Sequence, residues 1–236
     1  MNDHGPRFSA TARDSAPPGA GPPSQVAVLR RRIARLHASD EPIDDGELDT
    51  CIGLAIPTVL PVRGWLDLLM RYGHHRIDQA DLPYSLFRQL YRRLELPPGE
   101  ILLDLGSGYG RAAFYGALLS NARVHGIELV HERVEEARRV RARWDLESVE
   151  LTCADAVTAP WPETGWYCVL NSFLPSVLPL VIARLRAAAN RRRIVIASVS
   201  TSNAAFAAQP WLVELPPVCA PCDSQGLRLF ASHPSG

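Results

Sequence analysis

The sequence predicts an α/β domain built on a doubly wound, mostly parallel seven-stranded sheet, with a helical extension at its N-terminal side. Three observations lead there. From residue 97 onward, apolar runs of strand length alternate with amphipathic stretches of helical period, the pattern of a parallel sheet covered on both faces. The first strand–helix junction is rich in glycine, as ligand-binding turns in such sheets are. The last two apolar runs have no helix between them and read as an antiparallel pair closing the sheet.

Composition sets the outer bounds. Of 236 residues, 47% are hydrophobic and 21% charged, enough apolar material for a full core. Basic and acidic residues number 25 each, so the formal net charge is zero and nucleic acid is not an expected partner. Every basic residue is arginine, which excludes Schiff-base and lysine-nucleophile chemistry. The arginine, alanine and proline usage looks like the coding bias of a GC-rich bacterial genome. The opening residues show no apolar signal region. Cys51–Val62, broken by Pro57 and Pro61, falls short of the roughly 20 residues of a membrane span. A cytoplasmic location with no membrane contact is expected. Five cysteines without framework spacing suit a reducing compartment, and no metal is expected. Cys219-x-x-Cys222 reads as a loop, with a zinc or redox pair as the alternatives.

The elements follow in order. Residues 1–23, polar and rich in Pro and Gly, read as a disordered tail. Ser24 caps a helix with Val26, Leu29, Ile33 and Leu36 on one face. Arg30, Arg31, Arg32 and Arg35 form a solvated face or a surface for acidic partners. Two more helical segments are expected around Leu48–Ile56 and Trp65–Tyr72, broken by Pro57, Pro61 and Gly73. Another runs over Pro83–Leu94, with Tyr84, Phe87, Tyr91 and Leu94 in register. Residues 24–96 thus make a helical segment that could cover a bound substrate, and 97–236 make the sheet domain.

In that domain ILLDL (101–105) is the first strand, Tyr109–Ser120 a helix, and RVHGIEL (123–129) the second strand. His131–Trp144 is a helix with Val134, Ala137 and Val140 inward and Glu135 four residues before Arg139. SVELTCA (148–154) and WYCVL (166–170) are the third and fourth strands. Pro175–Asn190 is a helix in which Pro179 must sit in the first turn. RIVIASV (193–199) is the fifth strand; WLVEL (211–215) and LRLFA (227–231) close the sheet.

The chemistry concentrates in ILLDLGSGYGR. A strand ends with Asp104, and the turn Gly106-Ser107-Gly108-Tyr109-Gly110 feeds a helix. A dinucleotide fingerprint wants glycine where Arg111 stands, and an acid beside a pyrophosphate is electrostatically unfavourable. Asp104 suits a ligand that carries a cation.

This stretch resembles the first motif of the class I S-adenosylmethionine-dependent methyltransferases, a Rossmann-like family, over about residues 84–236. The resemblance implies S-adenosyl-L-methionine as cofactor, with Asp104 near its amino group and Gly106, Ser107, Gly108 and Gly110 as the floor. Glu128, at the end of the second strand, would accept from both ribose hydroxyls; the alternative is a helix N-cap neighbour. Asp155, with Ala156 beside it, would face the adenine amino group; the alternative is an ordinary turn aspartate. Asn171-Ser172-Phe173 after the fourth strand is similar to the Dot1-like lysine methyltransferases, although their upstream tyrosine falls here near Gln79. Asn171 would stand at the reaction centre as a hydrogen-bond acceptor that cannot act as a base.

Tyr84 closes over the methionine end or is a core aromatic. His74, His75, His125 and His131 are candidate bases or structural histidines. The expected function is methyl transfer to a small molecule or a protein side chain. The alternative is a cofactor-binding interaction module without turnover.

Overall fold

A computed structural model describes residues 24–57, 66, 82–216 and 226–233. The expected tail, the Trp65–Tyr72 segment apart from Leu66, His74, His75, Gln79, Cys219 and Cys222 lie outside the described residues. The elements are α1 (Gln25–Ala38), α2 (Asp45–Ile52), α3 (Tyr84–Arg93), β1 (Ile101–Leu105), α4 (Arg111–Ser120), β2 (Arg123–Glu128) and α5 (His131–Arg143). They continue with β3 (Val149–Cys153), β4 (Trp166–Leu170), α6 (Leu178–Ala189), β5 (Val195–Val199), α7 (Ser202–Ala207), β6 (Leu212–Glu214) and β7 (Arg228–Ser232).

The seven strands form one sheet in the order β3-β2-β1-β4-β5-β7-β6. Strands β1 to β5 pair in parallel, and β7 runs antiparallel to both β5 and β6. The order reverses between β1 and β4, so their carboxyl ends open the crevice where ligands bind in such sheets.

Two apolar layers flank the sheet. On one face α4 and α5 cover Leu102, Val124, Cys168 and Ala197, and Leu29, Ile33, Leu48, Ile52 and Leu90 of α1–α3 join the same cluster. On the other face α6 and α7 cover Leu103, Ile127, Val169 and Ile196. Helices α1–α3 therefore share their core with the sheet. They are pinned by polar contacts as well. Arg88 Nη1 donates to the carbonyls of Ser39 (2.9 Å) and Glu41 (2.7 Å), and Arg92 Nε to that of His37 (2.9 Å), capping the C-terminal end of α1. Trp144 Nε1 donates to Ile52 O at 2.6 Å, and Ala55 N to Glu136 Oε1 at 2.6 Å.

Ser24 caps α1 as its sequence predicts, accepting from Ala27 N. Pro179 sits in the first turn of α6, where its missing N–H costs nothing. Several boundaries differ. The second helix starts at Asp45, capped by Asp44, and stops at Ile52 because Gly53 turns left-handed at φ 85°. Helix α4 starts at Arg111 rather than Tyr109, since Gly108 and Gly110 carry φ of 56° and 80°. On α5, Glu135 pairs with Arg138 at 2.8 Å and Arg139 with Glu136 at 2.6 Å, so spacing three displaces the expected Glu135–Arg139 pair. Helix α7 has no counterpart in the sequence reading, being less than two turns long and too short to show a period.

Helix α4 carries Ala112, Ala113, Gly116 and Ala117 toward the core, which lets α3 approach closely. A Cβ at Gly116 would lie 2.2 Å from the Tyr91 ring, whose hydroxyl donates to Ala112 O and whose ring stacks on Tyr115. Helix propensity alone says Gly116→Ala should stabilise by about 1 kcal/mol. The trapped ring reverses the sign: thermal unfolding should show a loss of about 1–3 kcal/mol from overpacking. A raised midpoint would show that Tyr91 yields freely.

Candidate functional site

The glycine turn is held from below by main-chain bonds. Gly106 N and Ser107 N both donate to Ile127 O, at 2.8 and 3.1 Å, and Gly110 N donates to Ser107 O at 2.9 Å. Gly106 has φ 81°, and a Cβ there would meet the Ser172 side chain at 2.3 Å. Glycine is thus required twice over, by conformation and by contact. A Cβ on Gly108 would meet nothing within 4 Å, so the turn presents bare backbone to open space.

Glu128, 5% exposed, ends β2 beside this turn. Its Oε2 accepts from Gly108 N at 2.9 Å and its Oε1 from Val130 N at 2.9 Å. Arg133 Nη1 stands 3.7 Å from Oε1. The local N-cap alternative thus describes its observed contacts, and both oxygens keep further acceptor capacity.

Asp104 is 2% exposed and forms no hydrogen bond among the described residues. Burial and repulsion from Glu128 push its carboxyl from 3.8 up to about 7. Its negative charge in turn raises the Cys168 thiol and the Tyr91 hydroxyl further than burial alone does. Among the described residues no cation offsets an acid so placed. Ser107 Oγ is likewise buried without a partner. It rests against Gly126, where a Cβ would lie 2.6 Å from it. Gly126 was missed in the sequence, although a lone glycine inside a strand signals close approach.

After β3, Asp155 Oδ1 accepts from Val157 N at 2.8 Å, and Asp155 O accepts from Thr158 N and Ala159 N. The turn-aspartate alternative thus describes its local geometry. Ala156 follows, buried. After β4, Asn171 is exposed at φ 58°, a conformation asparagine tolerates better than most residues. Ser172 Oγ bonds Gly106 O at 3.2 Å, joining the turns that follow β1 and β4.

Three sequence candidates sit elsewhere. Tyr84 is fully buried; its hydroxyl donates to Asp49 Oδ1 at 2.8 Å and its ring packs edge-on against Phe87. It offers no surface to a ligand, because Asp49 draws its polar end into the α2–α3 layer. His125 is buried against Thr152, with Nε2 2.8 Å from Oγ1, and burial lowers its pKa. His131 is exposed at the start of α5, 4.0 Å from Glu135.

Arg111, where the dinucleotide pattern wants glycine, has a tertiary task instead. Its guanidinium clasps both oxygens of Asp49, with Nε–Oδ1 at 2.9 Å, and lies over the Tyr84 ring at 5.5 Å.

Among the described residues, the edge thus offers a carboxyl without a neighbouring cation, a carboxylate able to take hydroxyls, an unpartnered hydroxyl and a bare turn. These residues fit a ligand bearing an ammonium or sulfonium group and a vicinal diol. S-adenosylmethionine has both.

Residues 102–195 match the family described as Methyltransferase domain. Aklanonic acid methyltransferase DauC of Streptomyces sp. (strain C5) is 31% identical over 119 residues, covering 46% of this chain and 54% of that protein. Methyltransferase GfsG of Streptomyces halstedii is 36% identical over 88 residues, covering 37% of this chain and 32% of that one. The chain thus spans about half the length of the first relative and a third of the second. TrmN from Thermus thermophilus shares the fold, with a TM-score of 0.50 at 17% identity, over 89% of this chain and 78% of that one. The match to that family over residues 102–195 agrees with the cofactor that the edge residues fit. Among the described residues no helix is long and apolar enough to cross a membrane.

Asp104 makes the ligand-free protein sensitive to pH. The folded state keeps this proton up to about pH 7, whereas the unfolded chain releases it near 3.8. Stability therefore falls as pH rises through that window, by at most about 1.4 kcal/mol per unit, and levels off above it. Asp104→Asn, shaped like the protonated acid, removes this slope. In denaturant titrations its advantage over the parent should grow from about pH 4 to about pH 7 and then hold steady. An advantage that stays constant with pH would show that Asp104 is ionised throughout.

Proposed function

We propose that the protein transfers the methyl group of S-adenosylmethionine to a small-molecule acceptor held at the carboxyl ends of β4 and β5. The observation that carries this reading is the buried Asp104 carboxyl without a cation, next to Glu128 and a bare glycine turn at the switch point of the sheet.

When bound, the cofactor supplies an electrophilic methyl group on a cationic sulfur. Asp104 holds the ammonium end, and its ionised form is recovered as it gains that charge. Glu128 accepts from the ribose hydroxyls while the Gly108 and Val130 amides fix its orientation. Asp155 accepts from the 6-amino group of the purine, with the Ala156 amide beside it. Gly106, Ser107, Gly108 and Gly110 let the backbone approach without side-chain clashes.

On the acceptor side, the turns at 171–177 and 200–201 carry no charged residue. An anion there would stabilise the cationic ground state more than the charge-dispersed transition state, so a neutral wall favours transfer. The Asn171 amide oxygen accepts from the N–H or O–H of the incoming nucleophile and aligns its lone pair. DauC, named for aklanonic acid, also supports a small-molecule acceptor. The narrower likeness to Dot1-like enzymes rests on the Asn171–Phe173 stretch.

The test begins with S-adenosylhomocysteine. At a hundred times its dissociation constant it should add about 2.7 kcal/mol of stability. Glu128→Gln should weaken binding about tenfold or more through a lost charged hydrogen bond. Asn171→Gly keeps the left-handed turn and removes the amide. It should leave affinity unchanged while slowing label transfer from radiolabelled cofactor about 10- to 100-fold. Binding without label transfer to any metabolite would mark an interaction module; transfer to RNA would overturn the small-molecule acceptor.

A further inference from the structure

The connection from β3 to β4 is unusual for a parallel sheet. Crossovers of this kind ordinarily carry a helix that satisfies its own backbone. Residues 154–165 contain none, and their main chain runs over the face that α6 covers. Buried carbonyls there need donors from elsewhere.

Arg184 of α6 provides them. Its Nη1 lies 2.7 Å from Ala156 O and 2.7 Å from Val157 O, and its Nη2 lies 2.7 Å from Ala159 O. The guanidinium carbon sits 4.0 Å from the centre of the Trp161 ring, whose Nε1 donates to Ala156 O at 3.0 Å. Three carbonyls and one indole therefore fix a single planar fork, a task suited to arginine and not to lysine. Burial lowers the pKa of this guanidinium, and the nearby Asp155 carboxylate opposes that shift.

The bend so clamped begins at Asp155. Its Oδ1 and its carbonyl both take amides from residues 157–159, leaving the Ala156 amide without a hydrogen bond among the described residues. A carboxylate acceptor and a free backbone donor thus stand on consecutive residues. Their order complements a 6-aminopurine, which donates from its amino group and accepts at N1. A 6-oxopurine reverses both, setting an oxygen against the carboxylate and an N–H against the amide.

We propose that Arg184, locked by Trp161, is the positioning residue for purine recognition, holding Asp155 and Ala156 as the pair that accepts adenine and rejects hypoxanthine. This rests on the reading above that Asp155 meets the purine of the cofactor.

Calorimetric titration with S-adenosylhomocysteine and with S-inosylhomocysteine separates the two ideas, since the ligands share the ribose and amino-acid ends. The parent should prefer the adenine compound by about 100-fold or more. Arg184→Met should cut that preference to within about tenfold, chiefly through weaker adenine binding. Arg184→Lys, which keeps the charge without the fork, should fall between, and circular dichroism should show both variants folded. Should Arg184→Met fail to fold, the lysine variant decides the matter by the same ratio. A merely structural arginine would lower both affinities alike, and a preference unchanged from the parent overturns the proposal. Equal affinity of the parent for both ligands would instead remove Asp155 from purine recognition.

Discussion

The carboxyl edge of this sheet is organised by one residue, Glu128. Its side chain receives amides from the turn after β1 and from the start of α5, and its carbonyl receives Ala154 N at 2.9 Å. Three loops that approach from different crossovers are thereby held to a common point. The arrangement carries an electrostatic cost, because the Glu128 charge and burial together raise the Asp104 carboxyl. Among the described residues no positive charge faces Asp104 itself. A cationic ligand supplies one, which is why shape and charge argue for the same occupant.

The helices before the sheet belong to the same construction. Arg111 stands at the first position of α4, where a positive charge opposes the helix dipole. Asp49 compensates it from α2, and Tyr84 bonds the same carboxylate from α3. A buried pair of this kind contributes little net stability, yet losing either member leaves an uncompensated charge. The floor of the glycine turn and the helical layer are consequently coupled at Arg111.

On the opposite face the sheet solves a different problem. The β3–β4 connection has no helix, so Arg184 and Trp161 satisfy its carbonyls from outside. Acid residues thus cluster at the carboxyl edge while arginines hold the neighbouring loops. In a chain without lysine, the planar fork of arginine does the anchoring at both places.

The sequence by itself determined the strand–helix alternation, the closing antiparallel pair, the glycine turn and the position of each acid near the carboxyl end of its strand. These follow from periods and turn chemistry that act over a few residues, and the same local rules placed the Ser24 cap and the first-turn Pro179. Only the tertiary structure decided which way Tyr84 points, what Arg111 pairs with, and what satisfies the carbonyls of the β3–β4 bend. Arg111 and Asp49 are 62 residues apart, and Arg184 and Ala156 are 28 apart. No period in the chain relates such pairs; they meet because parallel strands bring distant crossovers to one edge, and burial then compels each polar group to find a partner there.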